Sequence, residues 1–255
     1  MSVDGGAAVV TGAAKGIGLA IAQALVARGA YVIAVDIDAN GLESVRGDRL
    51  EPLVGDIGEW STHERAADAA ERAGRLRWWV NNAGVDWVGA AHEIDAAHIE
   101  QGLGVLLRGP LFGCCVAIRR MLPEREGSIV NIASIQGVAG FPRYLVYDAA
   151  KAGVIMASKQ IAVDYGPFGI RCNAVLPGSI ETPMTYATLP EDVPREEALR
   201  QEGMIAPLQR VGQPEEIAEA VAFLLSDASS YVNGSALAVD GGSSARCYPY
   251  PRLEL

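Results

Sequence analysis

Along residues 7–239, short runs rich in Val, Ile and Ala alternate with longer stretches of helical period, and that alternation leaves few folds open. The strands expected from it are Ala7–Val10, Tyr31–Val35, Leu50–Val54, Leu76–Val80, Gly127–Ala133, Ile170–Val175 and Ala236–Val239. The expected helices are Gly16–Arg28, Thr62–Ala73, Ala96–Leu122, Tyr144–Tyr165 and Glu215–Leu225. Strand, helix and strand in repeated succession make βαβ units, so the pattern predicts an α/β fold, with a seven-stranded parallel sheet doubly wound by helices on both faces. No Pro/Ser-rich linker divides the alternation, which favours one domain spanning residues 1–255. An eight-fold barrel is the rival, but it needs another strand and gives no reason for a glycine loop after the first one.

The 31 acidic and 21 basic residues leave a net charge of −10, which argues against an electrostatic grip on nucleic acid or an anionic membrane. Cys114, Cys115, Cys172 and Cys247 have neither C-x-x-C nor metal-ligand spacing, so no metal site and no disulfide framework are expected. His63, His92 and His98 likewise show no metal or triad spacing and read as surface residues. With no basic segment before Lys15 and no long uncharged apolar run, the chain reads as cytoplasmic and soluble.

The segment Val9-Val10-Thr11-Gly12-Ala13-Ala14-Lys15-Gly16-Ile17-Gly18 passes from the first strand into the first helix. Glycines there allow a tight turn and let a diphosphate approach free N–H groups at the helix N-terminus, where the helix dipole favours an anion. The spacing T-G-x-x-x-G-x-G differs from the general G-x-G-x-x-G, and a plain strand-to-helix turn is the alternative. An acid at the end of the next strand, Asp36, strengthens the dinucleotide reading. Its carboxylate suits ribose hydroxyls and repels a 2′-phosphate, so NAD is the expected cofactor. Lys15 is the nearby cation that argues the other way, and Ile37 supplies no phosphate-binding charge. Past the third and fourth strands, Asp56-Ile57 and Asn81-Asn82-Ala83-Gly84 fall where a sheet of this kind forms its ligand crevice. Asp56 would accept from an adenine amino group, and the Asn pair would brace the strands and border the cofactor, unless they are simple turn residues.

Tyr147 and Lys151 lie four residues apart on an expected helix and so share a face. A free phenol titrates near 10, too high for a base near neutrality, and a fixed positive charge favours its phenolate. Ser134, at the end of the fifth strand, offers a hydroxyl to position a substrate oxygen. The positions expected around the reacting oxygen are Asp86, Trp87, Gln136, Phe141, Tyr144 and residues of the loop Met184–Ala206. They mix aromatic walls with polar groups, which suits a secondary alcohol, polyol, sugar or hydroxy-acid. Arg143 is either a partner for a substrate carboxylate or a solvated arginine.

Taken together, Thr11-Gly12-x-x-x-Gly16-x-Gly18, Asn81-Asn82-Ala83-Gly84, Ser134, Tyr147-x-x-x-Lys151, Pro177-Gly178 with Thr182, and Val239-Asp240-Gly241-Gly242 resemble the short-chain dehydrogenases/reductases, which are Rossmann-fold enzymes. The resemblance runs from Val9 to Gly242. It implies hydride transfer between a carbinol carbon and a nicotinamide ring, with Tyr147 as general base in oxidation and acid in reduction. It also implies that Lys151 lowers the Tyr147 pKa and holds the nicotinamide ribose, that Ser134 binds the reacting oxygen, and that Thr182 holds the carboxamide with Ile180 against the ring. An extended relative acting on sugar nucleotides would need a different glycine loop and a further C-terminal domain.

One position departs from that family. Its usual V-N-L-x-G, whose Asn helps hold a proton-relaying water, is here Val105-Leu106-Leu107-Arg108-Gly109. Leu106 cannot hydrogen-bond, which leaves a non-catalytic NAD-binding sensor as the alternative to an enzyme with a modified relay. Gly102, Gly104, Gly109 and Pro110 predict an irregular helix around it. Between Pro177 and Pro214 stand six of the 13 prolines, so residues 179–206 are expected to form a mobile substrate cover with one short helix near Arg195–Gly203. The long helices and the tail Ser243–Leu255 carry apolar faces, and the resemblance implies a homotetramer.

Overall fold

Strand β1 (Gly6–Thr11) is buried along its whole length, as a parallel strand covered on both faces must be. The computed structural model describes residues 5–190 and 192–246. Around β1 lie β2 (Tyr31–Asp36), β3 (Leu50–Val54), β4 (Arg75–Asn81), β5 (Gly127–Ile132), β6 (Ile170–Pro177) and β7 (Ala236–Val239). All pairs are parallel, in the order β3-β2-β1-β4-β5-β6-β7, so this is a single Rossmann-like α/β domain. The chain runs outward from β1 to β3 and then returns to β4. The gap opened between β1 and β4 at their carboxyl ends is where such sheets bind ligands.

Side chains of period two divide the core. Ala8, Val10, Val32 and Ala34 face α1 (Gly16–Ala27) and α9 (Pro214–Leu225), where Ile21, Leu25, Ile217 and Leu224 meet them. Ala7, Val9, Ile33 and Val35 point to the opposite face, against α3 (Trp60–Ala73) and α5 (Gly109–Met121). The other helices are α2 (Ala39–Ser44), α4 (Ala96–Leu103), α6 (Leu145–Tyr165), α7 (Pro183–Thr188) and α8 (Arg195–Gly203).

Three readings change. The single helix expected over Ala96–Leu122 is broken into α4, a π-helical turn Gly104–Arg108, and α5. Pro110 has no N–H to give the carbonyl one turn back, so the ladder there shifts to wider spacing, with Gly109 N–H on the Gly104 carbonyl. The run Ala96–Met121 is long and apolar enough to cross a membrane by length and composition, an 18-residue window in it having a mean hydropathy of 1.5, although charged residues interrupt it; 56% of that window is buried in the fold. The connection after β6 carries two short helices instead of one, and main-chain bonds tie its ends together, with Glu181 N–H on Gly212 O at 2.8 Å and Gly212 N–H on Ser179 O at 2.9 Å. His63 is not at the surface either: it is buried, with Nε2 at 2.8 Å from the Ile57 carbonyl. Cys247 and the tail beyond Arg246 lie outside the described residues.

Candidate active site

The glycine loop is built by close backbone contact. Gly12 has φ of +66°, and a Cβ there would sit 2.7 Å from Ala83 Cα, so both its conformation and its neighbours call for glycine. Gly18 is packed tighter still, its missing Cβ 2.0 Å from the Gly12 carbonyl oxygen. Asn82 explains why the loop holds this shape: its Nδ2 donates to Thr11 O at 3.0 Å and Gly12 O at 3.1 Å. The Thr11 hydroxyl accepts in return from the N–H groups of Asn82 and Ala83. Asn81 turns inward and braces the sheet, donating to the Asn131 side chain at 2.7 Å and accepting from Trp79 Nε1 at 2.8 Å. Helix α1 begins with no side-chain cap and no acid in its first turn, which leaves its N-terminal N–H groups for an anion.

A cavity of about 550 Å³ extends from this loop across the carboxyl ends of the strands. It is lined by Gly12, Lys15, Gly16, Ile17, Asp36, Ile37, Asp56, Ile57, Asn82, Ala83, Gly84, Asp86, Ser134, Gln136, Phe141, Tyr144, Tyr147, Lys151, Pro177, Gly178, Ile180 and Thr182. Two expected residues are not on its wall. Gly18 stands behind Gly12 and acts on the loop's shape. Trp87 points away, because its Nε1 donates to the His98 carbonyl at 2.9 Å and its ring packs on His98 beside Gly102. The wall also includes Asp38, Val105, Ser179, Thr185 and Glu202, which the sequence did not single out. Asp38 was recognisable as a cap three residues before Gly41, whose N–H it accepts at 2.9 Å, while Thr185 and Glu202 fall in the loop Met184–Ala206 expected near the reacting oxygen without being named individually.

At one end of the cavity, Asp36 accepts from Ala14 N–H at 3.0 Å and Asp38 N–H at 3.1 Å, so its carboxylate is fixed by main-chain donors. Ile37 beside it is 72% exposed, apolar surface that a flat aromatic ring would cover. At the other end, Ser134, Tyr147 and Lys151 converge. The Ser134 hydroxyl stands beside the Tyr147 phenol and favours its ionised form, and the Lys151 ammonium lies 5.4 Å from the Tyr147 ring centroid. Lys151 is buried and donates to the Ile132 carbonyl at 3.0 Å, an ammonium with further N–H groups to offer.

The pKa directions correct one expectation. Burial pushes Tyr147 up to about 12, only partly offset by the Ser134 hydroxyl, and the charges of Asp86 and Asp148 push it further the same way. The depression expected from Lys151 is not there, because burial lowers Lys151 itself to about 8 and so discharges the ammonium before the phenol ionises. Leu106 is fully buried beside this group: a Cβ on Gly84 would lie 3.6 Å from its Cδ2 and 3.8 Å from Lys151 Nζ. Thr182 spends part of its hydroxyl's capacity as the cap of α7, accepting from Thr185 N–H at 3.3 Å.

The family model described as Enoyl-(Acyl carrier protein) reductase matches residues 12–244. The chain belongs to the short-chain dehydrogenase/reductase family. It is 42% identical over 246 residues to the cis-4-hydroxycyclohexanecarboxylate dehydrogenase of Sinomonas cyclohexanicum, a match covering 93% of this chain and 96% of that one. It is 37% identical over 247 residues to the D-threitol dehydrogenase of Mycolicibacterium smegmatis, covering 94% and 93%. Among solved structures, an actinorhodin polyketide ketoreductase with NADPH superposes with a TM-score of 0.90 at 32% identity, over 96% of this chain and all of that one. The protein is therefore an oxidoreductase that transfers a hydride between a nicotinamide cofactor and a secondary alcohol or ketone. The non-catalytic sensor finds no support among these relatives.

Proposed function

We propose that the chain is an NAD-dependent dehydrogenase/reductase of secondary alcohols in the polyol, sugar or hydroxy-acid class, with Tyr147 as its general acid and base. The observation that carries this reading is the placement of Ser134, Tyr147 and Lys151 at one end of a single cavity whose other end is Asp36. The residues fit a dinucleotide. The uncapped α1 N-terminus and Gly12, Gly16 and Ile17 suit a diphosphate, Asp36 the adenosine ribose, and Ile37, Asp56 and Ile57 the adenine. Lys151 has N–H groups for the second ribose, while Asn82, Ala83, Gly84, Pro177, Gly178, Ile180 and Thr182 border the nicotinamide end. When bound, NAD supplies the hydride-accepting ring and its positive charge.

Asp36 supports NAD over NADP, because a carboxylate fixed by two N–H groups cannot turn away from a 2′-phosphate. The Ser134 hydroxyl would hold the substrate oxygen against Tyr147. In oxidation Tyr147 would take the carbinol proton as the hydride leaves, and in reduction it would give that proton back. Because burial raises the phenol, the positive charge of the oxidised cofactor is the group that would favour its phenolate. Leu106 gives no side-chain acceptor to a relay, so proton exchange with solvent would run through other groups. Residues 179–206, carrying α7 and α8, would cover the substrate, and the molecule would work as a cytoplasmic homotetramer.

The test is NADH formation, followed by absorbance, with a panel of secondary alcohols and polyols, in parallel with NADP. Turnover with NAD that falls at least about 1,000-fold in Tyr147→Phe, with NAD affinity kept, is the expected result. Binding of NAD without turnover of any alcohol or reduction of any ketone would overturn it.

A further inference from the structure

The substrate end of the cavity contains hydrogen-bond acceptors in excess. Asp86, on the turn after β4, lines it and makes no hydrogen bond among the described residues. Glu202, from α8, lines the same cavity, with one oxygen on the Ser179 hydroxyl. Gln136 adds an amide to the same wall, its own Oε1 buried without a donor. Asp86 and Glu202 stand close enough to Tyr144 for both charges to bear on its phenol, and Asp86 bears on Tyr147 as well. Half-buried carboxylates with unused lone pairs face the cavity, and a ligand rich in hydroxyls supplies donors for them.

Among the described residues, no arginine lines this cavity to meet an acidic ligand, and Lys15 and Lys151 are its only cations. Arg143, the residue nearest in sequence to Tyr144 that could have done so, forks onto Glu93 at 2.9 and 2.7 Å, outside the cavity wall. Lys15 stands in the glycine loop, and Lys151 is held at the Ile132 carbonyl. A substrate carboxylate placed here would face like charges. A substrate ammonium would instead share the site with Lys151. A neutral molecule with several hydroxyls meets neither objection.

We propose that Asp86, seconded by Glu202 and Gln136, makes this an enzyme for neutral polyols, selecting a hydroxyl adjacent to the reacting carbinol and rejecting hydroxy-acids. This rests on the reading of the site as a secondary-alcohol dehydrogenase and narrows its substrate class. Asp86 acts here as a specificity residue: its carboxylate accepts from the neighbouring hydroxyl, while Tyr147 and Ser134 keep the reacting oxygen.

The experiment compares three small alcohols of matched size with NAD: 2,3-butanediol, 2-butanol and 3-hydroxybutanoate. In the unmodified enzyme, kcat/KM for the diol is expected to exceed that for 2-butanol by about tenfold or more, the effect of one hydrogen bond to a charged acceptor, with the acid the poorest. Asp86→Asn, which keeps the shape, is expected to shrink the diol-to-monoalcohol ratio by about tenfold and to raise the acid relative to the diol; Asp86→Glu should retain part of the preference. A general loss of structure would lower all three together and leave the ratios unmoved. Quenching of NADH fluorescence in the enzyme–NADH complex by the same three compounds reads their binding order without turnover. Absence of turnover for all three, with the diol still binding best, would sink the dehydrogenase reading and keep this one. An acid used or bound as well as the diol, ratios unchanged in Asp86→Asn, or no saturable binding of the diol would overturn it.

Discussion

A single methyl group at Gly18 would have to enter space held by the Gly12 carbonyl oxygen 2.0 Å away and by Asn82 Nδ2 at 2.4 Å. Neither can yield, since both belong to the bond that shapes the glycine loop. Gly18→Ala is therefore expected to cost at least about 2 kcal/mol and to weaken NAD binding, measured by urea unfolding and by titration against the parent. Asp36 acts at the same scale through charge. Asp36→Ala should lower the ratio of kcat/KM for NAD over NADP by about 100-fold, the removal of a repulsion and of ribose hydrogen bonds together. Lys151 makes a pH prediction. Burial lowers it from 10.5 to about 8, so between those values the folded protein holds fewer protons than the unfolded chain, and stability contributed by this group rises with pH across that window. Tyr147, raised from 10.0 to about 12, works in the opposite direction, with stability falling as pH climbs through that higher window. Urea midpoints at pH 8 and pH 10 should rise less in Lys151→Met than in the parent. A parallel response in the two proteins would exclude Lys151 as the source.

At the scale of elements, the break between α4 and α5 places an apolar side chain where the family's usual sequence has Asn. Leu106 is fully buried against the Gly84 turn near Lys151, so the π-helical turn carries it into the site and not onto a free surface. Leu106→Asn is expected to fold with a loss of about 1–3 kcal/mol, because a buried leucine gives way to an amide, and to raise the rate of proton exchange with solvent during turnover. A smaller solvent isotope effect in Leu106→Asn than in the parent would show it; identical isotope effects would remove Leu106 from the relay. The irregularity itself was readable in Gly102, Gly104, Gly109 and Pro110, but its kind was not, since whether a missing N–H bends a helix or widens it depends on what packs beside it. The short helices were harder. Helix α2 has six residues, too few for a period to show, and only the Asp38 cap marks it. Helix α7 was marked by Thr182-Pro183, a capping residue followed by a proline at the first helical position. The strands and long helices were legible because their alternation answers to burial on both faces of one sheet. Trp87 and Asp86 were not separable in the same way: neighbours on a turn, they take opposite directions according to what each finds there, His98 for one and the cavity for the other.

For the molecule as a whole, the unexplained surface is the outer side of α6. Leu145, Ala149, Ala152, Met156 and Val163 follow one another at helical spacing along it and are exposed, Val163 to 75% and Met156 to 62%. An apolar stripe of that length on the helix that carries Tyr147 and Lys151 is poorly suited to water. Pairing two copies of α6 back to back would bury it and would stiffen the helix whose i,i+4 pair is proposed to do the chemistry, which would tie assembly to the geometry of the site. The ion-pair cluster of Arg120 on α5 with Glu64, Asp68 and Glu71 on α3, at 2.7, 2.9 and 2.6 Å, lies within one chain and involves none of the stripe's residues. Light scattering is expected to give the mass of a tetramer for the parent. Met156→Glu combined with Val163→Glu places like charges opposite one another in a symmetric contact, so it should reduce the mass to that of a smaller species and lower kcat more than it changes the affinity for NAD. A monomeric parent would refute the pairing, and a double variant of unchanged mass would move the contact away from α6.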